Sequence, residues 1–180
     1  LRLIKSRELI PVTGLSRRRR HAAMAVDVSE NIAVTMFVRR SVGCNVEECH
    51  VFARHGGEWV SLGGCGGPVA DDAFDHRPAA LRAGLSASLG MDARILAPEG
   101  AGGILDSRAQ GWWQPRGRWI NYGIVRVNAD VARLVVDGRV ISVPWHGRCV
   151  VAWPGRRAQE LAILGQDGRG LGQVVLRPSP

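Results

Sequence analysis

The fold is decided by the stretch VARLVVDGRVISV, residues 131–143. Apolar residues alternate along both halves of it, which is typical of strands with one buried face. Between the halves stands Asp137-Gly138. This dipeptide favours a two-residue hairpin, because both central positions of a type I′ turn need a positive φ. The stretch therefore predicts two antiparallel strands, Val131–Val136 and Arg139–Val143.

Short strands are predicted on both sides of this hairpin, separated by turn dipeptides such as Gly56-Gly57 and His146-Gly147. The seven further strands are Ile32–Val38, Cys49–Arg54, Glu58–Leu62, Trp119–Val127, Arg148–Trp153, Gln159–Leu164 and Gly172–Leu176. Strands of this length and spacing are typical of sandwiches and barrels. We therefore expect a mainly β fold, an antiparallel β-sandwich or barrel of about nine strands with one short helix.

The short helix is predicted from about Arg77 to Leu89. Asp75 can cap its start, and Leu81, Leu85 and Leu89 recur every four residues on one face. The region around this helix is rich in glycine and proline, so it contains fewer strand signals.

Two stretches beside the helix lack a clear period. The run Gly63–Gly67 is predicted to be a flexible turn. Residues 90–117 show little alternation, and Pro98, Gly100, Gly102 and Gly103 interrupt any regular element there. They form either a functional loop or include a strand near Arg94–Leu96 that the pattern does not reveal.

The charge of the chain is concentrated at its start. The formal net charge is +8, and residues 1–40 contribute +6 of it. Arginine accounts for 23 of the 24 basic residues, a skew typical of a GC-rich genome. We therefore expect two parts, a basic, flexible N-terminal extension over residues 1–23 and a single β-rich domain over residues 24–180.

The densest run of charge is Arg17, Arg18, Arg19 and Arg20. Clustered guanidinium groups displace counterions from phosphates, so this arm can bind nucleic acid. The alternative is a solvated tail, because no recognition-helix pattern accompanies the run.

A resemblance to a known group of proteins comes from the strand and turn pattern after residue 118. Its residues are Val131–Arg139, His146-Gly147, Val150–Gly155 and Asp167-Gly168. Over roughly residues 118–176 the chain resembles uncharacterised actinobacterial proteins with immunoglobulin-like β-sandwich domains. The resemblance implies such a sandwich and a GC-rich bacterial source, and it implies no catalytic residue.

The segment GWWQPRGRW, residues 111–119, is the candidate site for a partner or ligand. Trp112, Trp113 and Trp119 alternate with Arg116 and Arg118, and such side chains can stack on bases, sugars or protein side chains. The alternative is that the tryptophans cover the core where the chain enters its next strand.

Cysteine chemistry is a further possibility. Cys65 stands where the nucleophile of a G-x-nucleophile-x-G turn would stand, and Cys149 follows His146 by three residues. A small hydrolase would need one of these thiols beside His146 or His55.

The four cysteines, Cys44, Cys49, Cys65 and Cys149, are irregularly spaced. The spacing leaves reduced buried thiols, a disulfide and a zinc site open as alternatives, although it contains no C-x2-C knuckle.

The acidic stretch Asp71, Asp72, Asp75 and His76 is interpreted as a helix start rather than a divalent-cation site.

These patterns favour a non-enzymatic β-sandwich module that binds a protein or a small ligand, without cofactor or metal. Nucleic-acid binding through the arginine run and a cysteine-dependent hydrolase are the alternatives. No stretch of the sequence is apolar enough to span a membrane, and no export signal is visible, so we expect a soluble, cytoplasmic protein without a membrane partner.

Overall fold

The computed structural model describes residues 1–81, 94–109 and 117–178. Its helix and strands are α1 (Arg2–Ser6), β1 (His21–Ser29), β2 (Ile32–Arg40), β3 (Asn45–His55), β4 (Glu58–Pro68), β5 (Leu96–Asp106), β6 (Arg118–Val127), β7 (Val131–Val136), β8 (Arg139–Ser142), β9 (Arg148–Pro154), β10 (Gln159–Gly165) and β11 (Gly170–Leu176). Short 3₁₀ helices occupy Asp71–Phe74 and Ser107–Ala109. The predicted mainly β fold is confirmed.

The strands form three antiparallel sheets. The N-terminal sheet has the order β1-β2-β3-β4, the central sheet β5-β6-β9, and the C-terminal sheet β11-β10-β7-β8. Within the described residues these sheets stack as in a sandwich rather than closing into a barrel.

The central sheet is buried on both faces. Ile120, Tyr122 and Ile124 of β6 pack with the N-terminal sheet in one cluster of buried residues, here the first core. Val125 and Val127 pack with the C-terminal sheet in another, the second core. Because successive side chains of a strand point to opposite faces, β6 and β9 have buried residues at consecutive positions, 120–125 in β6 and 148–153 in β9. This is why the sequence predicted both strands clearly.

A buried ion pair connects all three sheets. The carboxylate of Asp27 on β1 accepts hydrogen bonds from Arg139 Nη2 of β8 at 2.8 Å and from the backbone N–H of Ala152 of β9 at 2.7 Å. Only 4% of Asp27 is exposed. Partners from three different layers fix the position of each sheet relative to the others.

The N-terminal segment packs on the β-rich body. Helix α1 contacts β1 and β2, and Ile4 on it is buried. Val12 belongs to the first core, and β1 begins at His21, within the predicted extension.

All nine predicted strands are present, and the Asp137-Gly138 turn has the expected positive φ at both residues. The sequence did not predict β1, and β5 begins at Leu96, where the alternative of a strand near Arg94–Leu96 had placed one. The alternation of β1 is broken by a bulge at Met24, and that of β5 by a bulge between Pro98 and Gly100.

The predicted flexible turn at Gly63–Gly67 was wrong, because these residues belong to strand β4. Gly64 lies so close to β3 that a Cβ atom there would clash with the backbone oxygen of Cys49. The glycines therefore allow the close approach of two strands instead of a reversal of the chain.

Most of the predicted helix, from residue 82 onward, lies outside the described residues. Residues 77–81 are not helical. Arg77 N donates to Trp145 O at 3.0 Å, and Leu81 N donates to Arg94 O at 2.9 Å, so this part of the chain runs along neighbouring loops.

Candidate functional site

The arginine run lies beside two arginines of strand β2. Arg17 and Arg20 line a groove of about 470 Å³ together with Arg39 and Arg40. Arg40 N donates to Arg20 O at 2.8 Å, which extends the pairing of β1 and β2 by one residue. The fold thus joins two basic stretches that are about twenty residues apart. We call this hollow the basic groove.

The arginine run is held in a turn. Ser16 N donates to Arg19 O at 2.9 Å, and Arg19 N donates back to Ser16 Oγ at 3.1 Å. Arg17–Arg20 are exposed. Within the described chain, neither these four guanidinium groups nor that of Arg40 has a carboxylate partner. The turn already fixes the backbone of these unpaired cations. Binding a polyanion therefore costs little further conformational entropy of the backbone.

Arg39 is the exception among the groove arginines. Its Nε donates to Glu48 Oε1 at 2.7 Å, and Glu48 Oε2 lies 3.8 Å from His50 Nε2. The Arg39 side chain is 46% exposed, so this ion pair contributes little to stability. Its main effect is to neutralise one groove cation.

An aromatic pair lies on the same sheet face as Arg39, which lines the basic groove. Phe37 and Arg39 alternate with the fully buried Met36 and Val38, so they lie on the side of the N-terminal sheet that faces away from the first core. We call this side the outer face. The ring of Phe37 packs edge-to-face on His50, with 6.2 Å between the ring centroids.

A second hollow, of about 400 Å³, continues from the groove across the outer face. Its lining includes Arg39, His50, Gly64 and Gly66. Arg39 borders both hollows. Because glycines have no side chains, the backbone of β4 is exposed to solvent in this part of the outer face.

The predicted tryptophan site is only partly described. Trp112, Trp113 and Arg116 lie outside the described residues. Arg118 and Trp119 begin β6 and are half-buried. The guanidinium of Arg156 lies 5.3 Å from the centroid of the Trp119 ring, so a cation of the same chain already covers one ring face.

Cys149 and His146, one pair that would serve the hydrolase alternative, are not hydrogen-bonded to each other. His146 Nε2 lies 2.9 Å from Met24 O, and its Nδ1 accepts from Arg148 N at 3.0 Å. Both ring nitrogens are therefore occupied by the backbone. Burial raises the pKa of Cys149 to about 12, which disfavours a thiolate.

His55 and Cys65 also have other partners. His55 Nε2 lies 3.1 Å from Asp106 Oδ1, and Cys65 Sγ lies 2.5 Å from Tyr122 Oη. The cysteine–histidine pair that the hydrolase alternative requires is therefore not formed by these residues.

The acidic stretch does not begin the predicted helix: Asp71 and Asp72 lie in the 3₁₀ helix Asp71–Phe74, which ends before Asp75, and residues 77–81 are not helical. The carboxylate of Asp72 accepts from Arg126 Nη1 at 2.9 Å. Across the described residues, no group of three or more His, Cys, Asp or Glu side chains is arranged to hold a metal ion.

The sequence analysis missed a cluster of charges between the N-terminal and central sheets. Arg148 of β9 donates to Glu47 Oε2 at 3.0 Å and lies 2.9 Å from Glu99 Oε2. Only 8% of its side chain is exposed. We call Glu47, Glu99 and Arg148 the buried charge cluster. A charged residue at the inward-facing position 47 of β3 was the available signal, but its partner is 101 residues away.

Burial raises the pKa of Glu47. The positive charge of Arg148 opposes this shift, and the negative charge of Glu99 adds to it. Because every member is paired within the chain, the cluster holds two sheets together and offers no free charge to a ligand.

Comparison with known proteins finds no matching family model, no similar curated protein and no similar solved structure. The resemblance to actinobacterial immunoglobulin-like domains thus stays a prediction. Its residues, 118–176, form strands β6 to β11. None of the helices in the described part of the chain has the length and apolar character needed to cross a membrane. The geometry of the basic groove and of the adjoining outer face is therefore what indicates their function.

Proposed function

We propose that this protein binds single-stranded nucleic acid, with phosphates in the basic groove and bases against Phe37 and His50 on the outer face. The observation that carries the proposal is the groove itself, where Arg17 and Arg20 converge with Arg39 and Arg40. Its most direct ligand is a chain of phosphates, because arginine binds phosphate oxygens with geometric specificity.

The preference for a single strand follows from the outer face. Proteins that bind single strands combine a basic groove with aromatic side chains on which bases stack. Phe37 and His50 supply rings next to Arg39, which borders the groove. In a duplex the bases are already stacked on one another, so the rings of a sheet face would gain little from it.

The expected module that binds through Trp112 and Trp113 stays a separate prediction, because those residues lie outside the described part of the chain. Both alternatives describe a binding module rather than an enzyme. The arginine alternative is supported by the positions of its residues, which lie together in one groove.

The groove is tested by comparing two variants of equal charge. Arg39→Ala with Arg40→Ala removes two groove cations, whereas Arg133→Ala with Arg169→Ala removes two exposed cations from the C-terminal side. Binding of a labelled oligo-dT is measured by fluorescence anisotropy over a range of salt concentrations. In the groove variant we expect the slope of log K against log salt to fall by about 1.4, which corresponds to two lost phosphate contacts.

The control variant should keep the slope of the unmodified protein. Equal losses in the two variants would mean that net charge alone attracts the oligonucleotide, and no binding by the unmodified chain would end the proposal. Circular dichroism of each variant confirms that it is folded.

The stacking part is tested with Phe37→Leu. Stacking contributes about 1–3 kcal/mol per base, so we expect at least about fivefold weaker binding of oligo-dT with the salt slope unchanged. Phe52→Leu, also on the outer face but farther along β3, is the matched control. Equal affinity for a duplex of the same length, together with no effect of Phe37→Leu, would contradict single-strand recognition.

A further inference from the structure

Two cysteines stand directly opposite each other on neighbouring strands. Cys49 of β3 is the register partner of Cys65 of β4. Residues opposite each other in an antiparallel pair point to the same face, with Cα atoms about 4.5–5.5 Å apart. This separation lies within the range of about 4.4–6.8 Å that disulfides span. The backbone therefore needs no rearrangement to join these two residues.

The two thiols differ in their access to solvent. Cys65 is exposed, whereas only 2% of Cys49 is exposed. Cys65 is flanked by Gly64 and Gly66, which have no side chains to shield it. A small reagent would therefore meet Cys65 first, and Cys49 would be the residue behind it.

In the reduced protein Cys65 has a different partner. Its Sγ lies 2.5 Å from the hydroxyl of Tyr122, which is buried in the first core. Burial raises the pKa of this hydroxyl, with the hydrogen bond to Cys65 adding to the shift, so Tyr122 keeps its proton at neutral pH. This contact holds the Cys65 sulfur on the inner face of the sheet, the face on which the Cys49 side chain also lies.

We propose that Cys49 and Cys65 are a redox modification site that closes to a cross-strand disulfide when the protein meets a peroxide. The Cys65 thiolate attacks one peroxide oxygen, so that an S–O bond forms and the O–O bond breaks. Hydroxide leaves and takes up the thiol proton as water, and Cys65 becomes a sulfenic acid. Burial raises the pKa of Cys49, so this residue stays a thiol until it reacts. Its sulfur then attacks the Cys65 sulfur, the S–O bond breaks, and a second water leaves with the Cys49 proton. In total, two thiols and one hydrogen peroxide give one disulfide and two waters.

The other cysteines provide internal controls. Cys44 is exposed and precedes β3, and none of the other described cysteines is its register partner. Cys149 is buried in the second core, on the far face of the central sheet. Exposure alone would make Cys44 react like Cys65, whereas the proposed mechanism predicts a disulfide only at Cys65.

The experiment uses the full chain treated with hydrogen peroxide, followed by alkylation and peptide mapping by mass spectrometry. We expect a single intramolecular link between the peptides of Cys49 and Cys65, reversed by dithiothreitol. The link should form equally in Cys44→Ser and be absent from Cys65→Ser. Mapping of the unmodified chain does not depend on whether any variant folds.

A second arm repeats the oxidation in urea, where the register of β3 and β4 is lost. There the short Cys44–Cys49 loop closes at least as easily, so the selectivity for Cys49–Cys65 should disappear. The proposal is overturned if native Cys65 proceeds to the sulfinic acid while Cys49 stays a free thiol. It is equally overturned if the native link joins any other pair.

Discussion

The two outer sheets pack on opposite faces of one central sheet, yet the two interiors they form are different. The second core, under the C-terminal sheet, consists of apolar side chains and one cysteine. The first core, under the N-terminal sheet, adjoins the buried charge cluster, His146 and Tyr122. The basic groove and the Cys49–Cys65 pair belong to the same N-terminal sheet. Apart from the Asp27–Arg139 ion pair, which connects all three sheets, the buried charges and the candidate sites described above are concentrated on the N-terminal side of the central sheet.

The two interiors therefore differ in the interactions that stabilise them. An apolar interior derives its free energy from burial, which hardly depends on pH. An interior with paired charges depends on every partner being present, because an uncompensated buried charge costs several kcal/mol. We therefore expect the two cores to respond differently to mutation and to pH.

The largest effect is expected from Arg148→Met, which removes the cation of the buried charge cluster. Glu47 and Glu99 then lose their shared partner. Breaking a buried ion pair on one side destabilises a protein by about 3–5 kcal/mol. Urea unfolding at pH 7, followed by circular dichroism, measures this loss.

The pH dependence of that loss tests its cause. The pKa of Glu47 is raised in the native protein, and without Arg148 it should rise further. A carboxyl with a raised native pKa binds more protons when folded, so its contribution to stability falls as pH rises. The penalty of Arg148→Met should therefore be smaller at pH 5 than at pH 7. An equal penalty at both values would show that lost packing, not charge, is responsible.

The matched change in the other interior is Leu134→Ala in the second core, where Leu134 is fully buried. Removing the side chain leaves a cavity and destabilises such sites by about 2–5 kcal/mol. No pH dependence between 5 and 7 is expected, because Cys149, the titratable member of this core, has a pKa of about 12. A penalty that changes with pH over this range would contradict the comparison between the two cores.

The sequence predicted the second half of the fold better than the first, for a physical reason. Strands β6 and β9 are covered on both faces, and β7 and β10 on one, so burial is visible as a run or an alternation of apolar residues. In β5, Gly102 lies where any Cβ would clash with the Tyr122 ring. Where glycines let neighbouring groups come this close to the backbone of a strand, the sequence shows no alternation of apolar residues.

For the same reason, the sequence indicated only part of the candidate site. Arg17–Arg20 stand out in the sequence, but their partners Arg39 and Arg40 join them only through the pairing of β1 with β2. Because β1 was not predicted, that neighbourhood could not be derived. The pairing of Cys49 with Cys65 depends likewise on a bulge at Leu62, which shifts the register after the hairpin.

The next largest effect is the pH dependence of stability that His146 causes. It has the opposite sign to the pH dependence caused by Glu47. Burial is the main cause that lowers the pKa of His146 to about 4; the hydrogen bond to Met24 opposes this shift, and the charges of Arg148, Arg126 and Arg77 add to it. Between pH 6.5 and 4 the unfolded chain binds more protons, so stability falls as pH falls. The difference amounts to about 3 kcal/mol over this window.

The variant His146→Gln is expected to remove that dependence, because its amide can donate and accept hydrogen bonds without titrating. Urea unfolding of both proteins at pH 7 and at pH 4.5 gives the measurement. The free-energy gap between the two proteins should shift in favour of the variant at the lower pH. If the gap stays constant, protonation of His146 does not couple to unfolding.

The smallest expected effect concerns the basic groove and builds on the proposed nucleic-acid binding. Glu48→Gln removes the carboxylate that pairs with Arg39 while keeping a side chain of the same size. An exposed ion pair of this kind amounts to about 0.2–1 kcal/mol, so we expect oligo-dT binding to strengthen by up to about fivefold. The slope of log K against log salt should stay unchanged, because Arg39 contacts a phosphate in both proteins and only the free energy of breaking its pair with Glu48 is removed.

Glu58→Gln is the matched control, since it removes the same charge at the far end of the β3–β4 hairpin. A gain specific to Glu48→Gln would show that the N-terminal sheet limits its own affinity through one local ion pair. Equal gains would instead assign the effect to the net charge of the molecule, and a loss would mean that Glu48 orients Arg39 for binding. Because Arg39 borders both the groove and the hollow beside Phe37 and His50, its release should also increase the penalty of Phe37→Leu in the double variant.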